Sequence, residues 1–245
     1  MSNLSGNVAV IIGSSGGIGE AITNKLSNLK CYKKLYTFNR SKIESPIQNT
    51  ENFFLDFKDE KSIVEASNLF FKRKEKIDLL FICTGILHEL GKIKPEKSWK
   101  EINLNSFKDV LLINTIGPAL IAKHFIPHFT KDTKSIFAAI SAKIGSIEDN
   151  RLGGWYSYRS SKAALNMVIK NLSIEASYKR PNIIFTSLHP GTVNTSLSKP
   201  FQTFINDKDI FTPKRSADYL INVLEKLTSE DSGKFFSWDG SELPY

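Results

Sequence analysis

Two side chains that could move a proton, Tyr158 and Lys162, lie four residues apart in the chain. Residues at this spacing share one face of a helix, so the ammonium of Lys162 would stand beside the phenol of Tyr158. A phenol with a pKa of about 10 is a reluctant acid or base near neutrality. A neighbouring ammonium stabilises the phenolate and should lower that pKa. Tyr–Lys pairs also arise by chance, so this one gains meaning only from the residues around it.

Two further polar residues supply that context. Ser141 ends an apolar segment, and its hydroxyl could bind a substrate oxygen within reach of Tyr158. Asn114 lies inside an apolar helical segment and could hold a water that links Lys162 to solvent. The alternative for Asn114 is an amide satisfied by the backbone, because buried amides need partners wherever they lie. The four residues predict a site that gives a proton to an oxygen made anionic by hydride addition to a carbonyl.

The segment 13–19, which reads GSSGGIG, follows the first predicted strand and opens a helix. Gly13 would allow a sharp turn, while Gly17 and Gly19 remove side chains where a phosphate and a neighbouring strand must approach. The helix then points free N–H groups and the positive end of its dipole at an anion. With Ser14, Ser15 and Ile18, these glycines predict a site for the pyrophosphate of a dinucleotide.

The same residues allow two other interpretations. The segment 13–17 also fits G-x-S-x-G, the strand-to-helix turn that carries the nucleophile of serine hydrolases, with Ser15 in that role. That turn normally follows several strands, whereas here it follows the first. A structural turn without any ligand is the second alternative.

Length and composition indicate one domain over residues 1–245. The chain is 41% hydrophobic and 24% charged, and has no recognisable linker or repeat. Cys31 and Cys83 are too few for a disulfide framework, and no spacing typical of metal ligands is present. The polar start at 1–3 and the strand-sized apolar stretches predict a cytoplasmic protein without a membrane partner. The net charge of +8 is scattered, which favours a solvated surface over nucleic-acid binding.

Strand and helix patterns alternate along the chain. Predicted strands cover 8–12, 34–39, 53–56, 78–84, 135–141, 183–188 and 234–237, and predicted helices cover 17–29, 59–74, 107–129, 156–178 and 212–227. Apolar strands separated by amphipathic helices are typical of a parallel sheet covered on both faces. We therefore expect an α/β, single-domain, Rossmann-type doubly wound sheet of about seven strands. Such a sheet binds ligands beyond the carboxyl ends of its strands, where the candidate residues fall.

The residues after the second strand, Asn39, Arg40 and Ser41, bear on the choice of cofactor. A site for NAD usually presents an acidic residue here, which would repel a 2′-phosphate. Arg40 can instead pair with that phosphate, and the Ser41 hydroxyl can add a donor. NADP(H) is the predicted cofactor, with NAD(H) as the other possibility. A solvent-exposed arginine without a role is the alternative.

Taken in order, these motifs resemble the short-chain dehydrogenase/reductase family over the whole chain. The resemblance rests on GSSGGIG at 13–19, Asn114, Ser141, YRSSK at 158–162 and PGTVNT at 190–195. Within the family, the segments 141–147, 153–159 and 233–240 are similar to the C-factor and sniffer-type carbonyl reductase branch.

The resemblance implies a role for each matching residue. Tyr158 would be the acid/base, Lys162 its partner and a ligand of the nicotinamide ribose, Ser141 the group that orients substrate, and Asn114 part of a proton relay. The remaining cofactor contacts would be Asp56 and Phe57 near the adenine, Thr84 and Gly85 after the fourth strand, and Pro190, Gly191, Val193 and Thr195 near the nicotinamide. The substrate would be a small or medium carbonyl compound or alcohol, and the protein a homodimer or homotetramer. A dinucleotide-binding signalling protein of C-factor type, with little turnover, is the alternative.

The sequence departs from the family pattern at three places. Ile12 replaces the usual threonine, and ICTG at 82–85 replaces the usual asparagine-rich segment. Ser141 and Tyr158 are 17 residues apart, which is longer than usual in the family. We therefore expect a longer loop over the active site, in which 144–155, together with 196–211, shapes the substrate pocket.

Overall fold

The computed structural model describes residues 4–41, 47–203 and 205–245. The polar start at 1–3 and one residue of the predicted pocket segment 196–211 lie outside the described residues. The main sheet has seven strands, β1 (Gly6–Ile12), β2 (Tyr32–Asn39), β3 (Thr50–Phe54), β4 (Leu79–Ile82), β5 (Ser135–Ile140), β6 (Ile183–His189) and β9 (Lys234–Ser237). They are parallel and follow the order β3-β2-β1-β4-β5-β6-β9 across the sheet. The predicted α/β Rossmann-type sheet is confirmed, although β3 begins and ends earlier than expected.

Helices cover both faces of this sheet because its strands are apolar on both. In β1, Val8, Val10 and Ile12 belong to one buried cluster, whereas Ala9 and Ile11 belong to the other. Successive side chains of a strand point to opposite faces, so β1 is buried twice. The helices are α1 (Gly17–Leu29), α2 (Glu60–Arg73), α3 (Leu104–Leu111), α4 (Gly117–Phe125), α5 (Tyr156–Lys179) and α6 (Pro213–Lys226).

The predicted helix over 107–129 is confirmed as a helical segment from Leu104 to His128, but this segment is not α-helical throughout. The structure has α3, a π-helical turn at Leu112–Ile116, and then α4. Pro118 lies at the start of α4 and has no N–H to donate to the carbonyl of Asn114, four residues earlier. The wider turn, in which the N–H of Gly117 donates to the carbonyl of Leu112, accommodates this loss.

This helical region is apolar because it is a core element. Among the described residues, Leu104–His128 is long and apolar enough to cross a membrane by length and composition, with a mean hydropathy of 1.4, but 50% of its most apolar stretch is buried inside the protein. Its inner side chains, including Ile121 and Phe125, pack in the core cluster that also contains Leu165 of α5 and Phe70 of α2. Packing within this fold therefore accounts for its composition.

A small parallel sheet that the sequence did not predict lies at the carboxyl edge of the main sheet. It pairs β7 (Thr192–Val193) with β8 (Ile210–Phe211). The pairing ties the start of the segment 192–211 to its end. The described residues between the two strands therefore belong to a loop whose ends are held together at this edge of the main sheet.

Candidate active site

The glycine turn joins β1 to α1 as the sequence predicted. Gly13 and Gly17 have φ values of +88° and +38°, in the left-handed region. At Gly19, a Cβ atom would lie 2.1 Å from the carbonyl oxygen of Gly13, so α1 packs directly on the turn. Gly16 precedes α1, and within the described chain no side chain caps this end. The first N–H groups of α1 are thus available to an anion in the adjoining cavity.

Asn39 holds this turn in place. Its Nδ2 donates to the hydroxyl of Ser14 at 2.9 Å, and its Oδ1 accepts from the backbone N–H of Ser15 at 2.8 Å. Ser14 is buried, whereas Ser15 is exposed and lines the cavity. Of the predicted phosphate contacts, Ser15 is therefore placed to touch a ligand, while Ser14 and Asn39 shape the backbone around it.

A smaller cavity of about 220 Å³ extends beyond the turn after β2. It brings together several residues predicted for the adenine end, namely Asn39, Arg40, Ser41, Asp56 and Phe57. Arg40 and Ser41 are exposed at its edge, whereas Phe57 is buried. Gly13, Ser15, Thr84 and Gly85 line both this cavity and a larger one. The two cavities thus meet at the glycine turn.

Three of the four predicted proton-handling residues, Ser141, Tyr158 and Lys162, line the larger cavity of about 500 Å³, whereas Asn114 does not. Tyr158 and Lys162 lie one turn apart on α5 and are both buried. The Nζ of Lys162 donates to the carbonyl of Ile140 at 2.9 Å and stands 5.8 Å from the centre of the Tyr158 ring. The ammonium is thus held by the end of β5 and faces the aromatic ring.

Burial dominates the titration of this pair. It lowers the pKa of Lys162 to about 8 and raises the pKa of Tyr158 above its ordinary value. Loss of solvation around the phenolate is the cause of the raised pKa of Tyr158. The lowering of this pKa by the ammonium and an oxidised nicotinamide stays a prediction.

Ser141 presents a hydroxyl that the protein leaves unsatisfied. The residue follows β5, its backbone N–H donates to the carbonyl of Leu188, and its side chain is buried in the wall of the larger cavity. In the described part of the chain, Oγ has no hydrogen-bond partner. Buried polar atoms are nearly always paired, so this hydroxyl calls for a partner supplied by a ligand or water.

The side-chain amide of Asn114 is hydrogen-bonded within the protein, as the alternative interpretation of this residue expected. Its Oδ1 accepts from the N–H of Ile86 at 2.8 Å, and its Nδ2 donates to the carbonyl of Ile86 and to the hydroxyl of Ser161. A Cβ atom on Gly85 would lie 3.5 Å from both Asn114 Oδ1 and Lys162 Nζ, so the two residues converge there. The side chain therefore fixes the segment after β4, and the predicted water relay through Asn114 stays a prediction.

The turn after β6 carries the predicted nicotinamide contacts. Gly191 has a φ of +77°, and a Cβ there would lie 2.6 Å from the Phe211 ring. The hydroxyl of Ser216 on α6 donates to the carbonyl of Pro190 at 2.8 Å. Val193 and Thr195 both line the larger cavity. A Cβ on Gly17 would meet Thr195 at 2.6 Å, so this turn closes directly over the glycine turn.

An aromatic wall that sequence reasoning missed borders the reacting end of the cavity. Gly153, Gly154 and Trp155 have consecutive positive φ values of 63°, 66° and 48°. This turn places the indole 4.8 Å from the ring of Phe201 and 6.3 Å from that of Tyr158. Described residues of both predicted pocket loops, such as Ile144 and Leu197, line the cavity. The glycine pair before Trp155 was the signal for this turn.

The histidines near these segments differ in their surroundings. His88 contacts the carbonyl of Ser196, and His124 contacts Glu60, so both have structural partners. His189 lines the larger cavity, and its Nδ1 has no partner among the described residues. Burial lowers the pKa of His189 to about 4, so the ring is neutral near neutrality.

The fold and this site agree with a family assignment from sequence. Residues 7–206 match the family model described as short chain dehydrogenase. The chain belongs to this family and is an NAD(P)-dependent oxidoreductase. The family rules out the serine hydrolase considered for Ser15.

Individual proteins place the chain within the family. It is 33% identical over 169 residues to C-signal of Myxococcus xanthus, covering 67% of this chain and 96% of that protein. The NADPH-bound carbonyl reductase from chicken fatty liver matches with a TM-score of 0.86 and 25% identity, covering 100% of this chain and 96% of that one. Carbonyl reductase Sniffer of D. melanogaster has the same fold, with a TM-score of 0.82, 23% identity and coverage of 98% and 100%. The predicted resemblance to the C-factor and sniffer-type branch is confirmed.

Proposed function

We propose that this protein is an NADP(H)-dependent reductase of small or medium carbonyl compounds, or a dehydrogenase of the corresponding alcohols, with Tyr158 as the acid/base. The observation that carries the proposal is the buried, unpartnered hydroxyl of Ser141 in the same cavity as Tyr158 and Lys162. An unsatisfied buried hydroxyl costs about 1–3 kcal/mol, and a substrate oxygen would offset that cost. Such an oxygen would also lie beside the proton donor.

The residues around the glycine turn fit a dinucleotide. The start of α1 is lined by glycines, and apart from the chain neighbours of Gly16 no atom of the described residues lies within 4 Å of a Cβ built on it. Ser15 faces the same space, and Arg40 and Ser41 stand exposed at the adjoining cavity, where they would hold a 2′-phosphate. Bound NADP(H) would supply or accept the hydride. The absence of an acidic side chain directly after β2 favours the phosphorylated cofactor over NAD(H).

The proton chemistry follows from burial. With its pKa raised, Tyr158 carries its proton near neutrality and can donate it to the oxygen as the carbonyl carbon accepts hydride. Lys162, with a pKa of about 8, is largely protonated at neutral pH and stabilises the phenolate that remains. Ser141 holds the substrate oxygen in line for this transfer. The carbonyl becomes an alcohol, and solvent returns the proton to Tyr158.

The test is a fluorescence titration with NADPH and, in parallel, NADH, followed by a panel of aldehydes and ketones with the tighter cofactor. We expect tighter binding of NADPH and its oxidation by at least one carbonyl compound. Binding of neither cofactor would overturn the proposal. The Arg40→Asp variant lacks the proposed 2′-phosphate contact, so its preference for NADPH over NADH should be weaker than that of the wild-type protein.

A signalling role is the second candidate, and the similarity to C-signal is the observation that favours it. In that case the dinucleotide would serve as a structural ligand. NADPH binding without oxidation across a broad carbonyl panel would support this candidate over the reductase.

A further inference from the structure

The helix that carries Tyr158 and Lys162 begins in an unusual way. The residue before α5 is Trp155, with φ and ψ of 48° and 46°, a left-handed conformation unfavourable for a bulky side chain. Helices usually start after a serine, threonine or aspartate that accepts from the first turn. Within the described residues, Trp155 makes no such bond. Something else must hold the first turn of α5.

A residue from a distant part of the chain does this. The backbone carbonyl of Glu96 accepts from the N–H of Trp155 at 2.5 Å. Its side-chain Oε2 accepts from the N–H of Ser157 at 3.2 Å, across 61 positions of sequence. Glu96 therefore accepts hydrogen bonds both from the left-handed turn at Trp155 and from the Ser157 N–H in the first turn of α5. A negative charge at a helix N-terminus also interacts favourably with the helix dipole.

The stability of the fold alone does not explain why a buried glutamate holds the start of α5. Glu96 is only 1% exposed, and its Oε1 is buried without a hydrogen-bond partner among the described residues. A buried carboxyl that is half satisfied is unfavourable, whereas a short polar residue at position 155 would cap the helix locally. What the arrangement achieves is a fixed position for Trp155, whose indole contacts the Tyr158 and Phe201 rings in the cavity wall.

We propose that Glu96 is a positioning residue for Tyr158. It acts through the N–H of Ser157 and the turn at Trp155, and sets the angle at which the first turn of α5 presents the phenol to the cavity. The inference rests on the acid/base role proposed above for Tyr158. It assigns the buried carboxyl to the reaction rather than to the stability of the fold.

Three variants test this inference. Glu96→Leu removes the acceptor, whereas Glu96→Gln keeps an oxygen able to accept from Ser157. Asp78→Asn is the matched control, because Asp78 is another buried carboxyl whose Oδ2 accepts from backbone N–H groups, those of Asn7 and Val8, away from the cavity. The measurements are kcat and KM for a carbonyl substrate, the Kd for NADPH, the melting temperature, and hydrogen–deuterium exchange at the amide of Ser157.

We expect kcat of Glu96→Leu to fall about 10- to 100-fold while the Kd for NADPH changes less than about twofold, because small misplacements of a catalytic group are costly. The Ser157 amide should exchange about tenfold faster. Glu96→Gln should restore kcat to within about threefold of wild type, since the acceptor is kept. Asp78→Asn should lower the melting temperature without lowering kcat.

Three outcomes would overturn the inference. These are an unchanged kcat in Glu96→Leu, unchanged exchange at Ser157, and a loss of kcat in Asp78→Asn that matches its loss of stability. If Glu96→Leu does not fold, a kcat in Glu96→Gln as low as that of Tyr158→Phe would overturn it as well. If the wild-type protein does not oxidise NADPH in the presence of any carbonyl compound tested, the proposed function is overturned instead. The exchange measurement would then test only the contact between Glu96 and Ser157.

Discussion

The turns after β2 and after β5 border the same ligand cleft, but they differ in whether the polar side chains there have hydrogen-bond partners within the protein. At the first, the Asn39 amide is engaged by Ser14 and by the backbone of Ser15. At the second, the Ser141 hydroxyl has no partner among the described residues, and neither has Nδ1 of the nearby His189. The protein completes its own hydrogen bonds where it shapes the dinucleotide cradle. Where the reaction is proposed to occur, it leaves them for a substrate to complete.

The sharpest test of the reacting end is Tyr158→Phe, which removes one oxygen from a buried ring. We expect kcat to fall by about 10³-fold or more, because the variant lacks the group that donates the proton. The Kd for NADPH should stay within about twofold, since the hydroxyl is proposed to act on substrate. Stopped-flow NADPH oxidation measures the first quantity and fluorescence titration the second. Retained turnover would remove the assigned acid/base.

Ser141→Ala and Ser14→Ala probe the contrast directly, because each removes one buried hydroxyl. For Ser141→Ala we expect kcat to fall about 100-fold and the free energy of unfolding to rise by up to about 1–3 kcal/mol, since the variant removes a buried hydroxyl that has no protein partner. For Ser14→Ala we expect the free energy of unfolding to fall by about 1–3 kcal/mol, because Asn39 Nδ2 loses its acceptor. Urea denaturation and steady-state kinetics measure both. Equal losses of stability in the two variants would abolish the contrast.

The buried ammonium of Lys162 predicts a dependence of stability on pH. Its pKa is about 8 in the folded protein, below its ordinary value, so the unfolded chain binds more protons above pH 8. The free energy of unfolding should therefore rise with pH from about 8 to 10, by about 2 kcal/mol relative to Lys162→Met. Urea denaturation of both proteins across this range gives the difference. A flat difference would mean that Lys162 is solvated in the folded state.

Arg40→Asp tests the opposite end of the cleft and should have the smallest effect, because Arg40 is exposed. We expect the ratio of the NADPH and NADH dissociation constants to shift about tenfold toward NADH, since a carboxylate would repel the 2′-phosphate and accept from ribose hydroxyls. Parallel fluorescence titrations measure the ratio. An unchanged ratio would show that Arg40 belongs to the solvated surface.

Local pattern sufficed for the parts of the molecule that depend on neighbours in sequence. The apolar strands gave the sheet, and the spacing of Tyr158 and Lys162 placed both on one face of α5. Pro118 could have revealed the π-helical turn that precedes it, because a proline cannot donate to the carbonyl four residues earlier. The location of the protein in the cell and its oligomeric state stay predictions.

Contacts between distant segments could not be predicted in this way. Glu96 has no motif around it, and its bond to Ser157 depends on how the loop after β4 folds back over α5. Likewise, the unsatisfied state of Ser141 is a property of everything that packs around it. Burial decided the titration of Tyr158, and burial is a tertiary quantity that local sequence does not carry.

Because all seven strands of the main sheet run parallel, their carboxyl ends share one edge and the ligand cleft occupies it. The amino ends of the strands lie on the opposite side of the sheet, away from the candidate active site. Turns there, such as those at Lys30 and Lys74 after α1 and α2, are exposed and could accept a fluorescent label, an affinity tag or new chain termini. The parallel sheet thus provides attachment points that are distant from the cleft in which cofactor binding and turnover are measured.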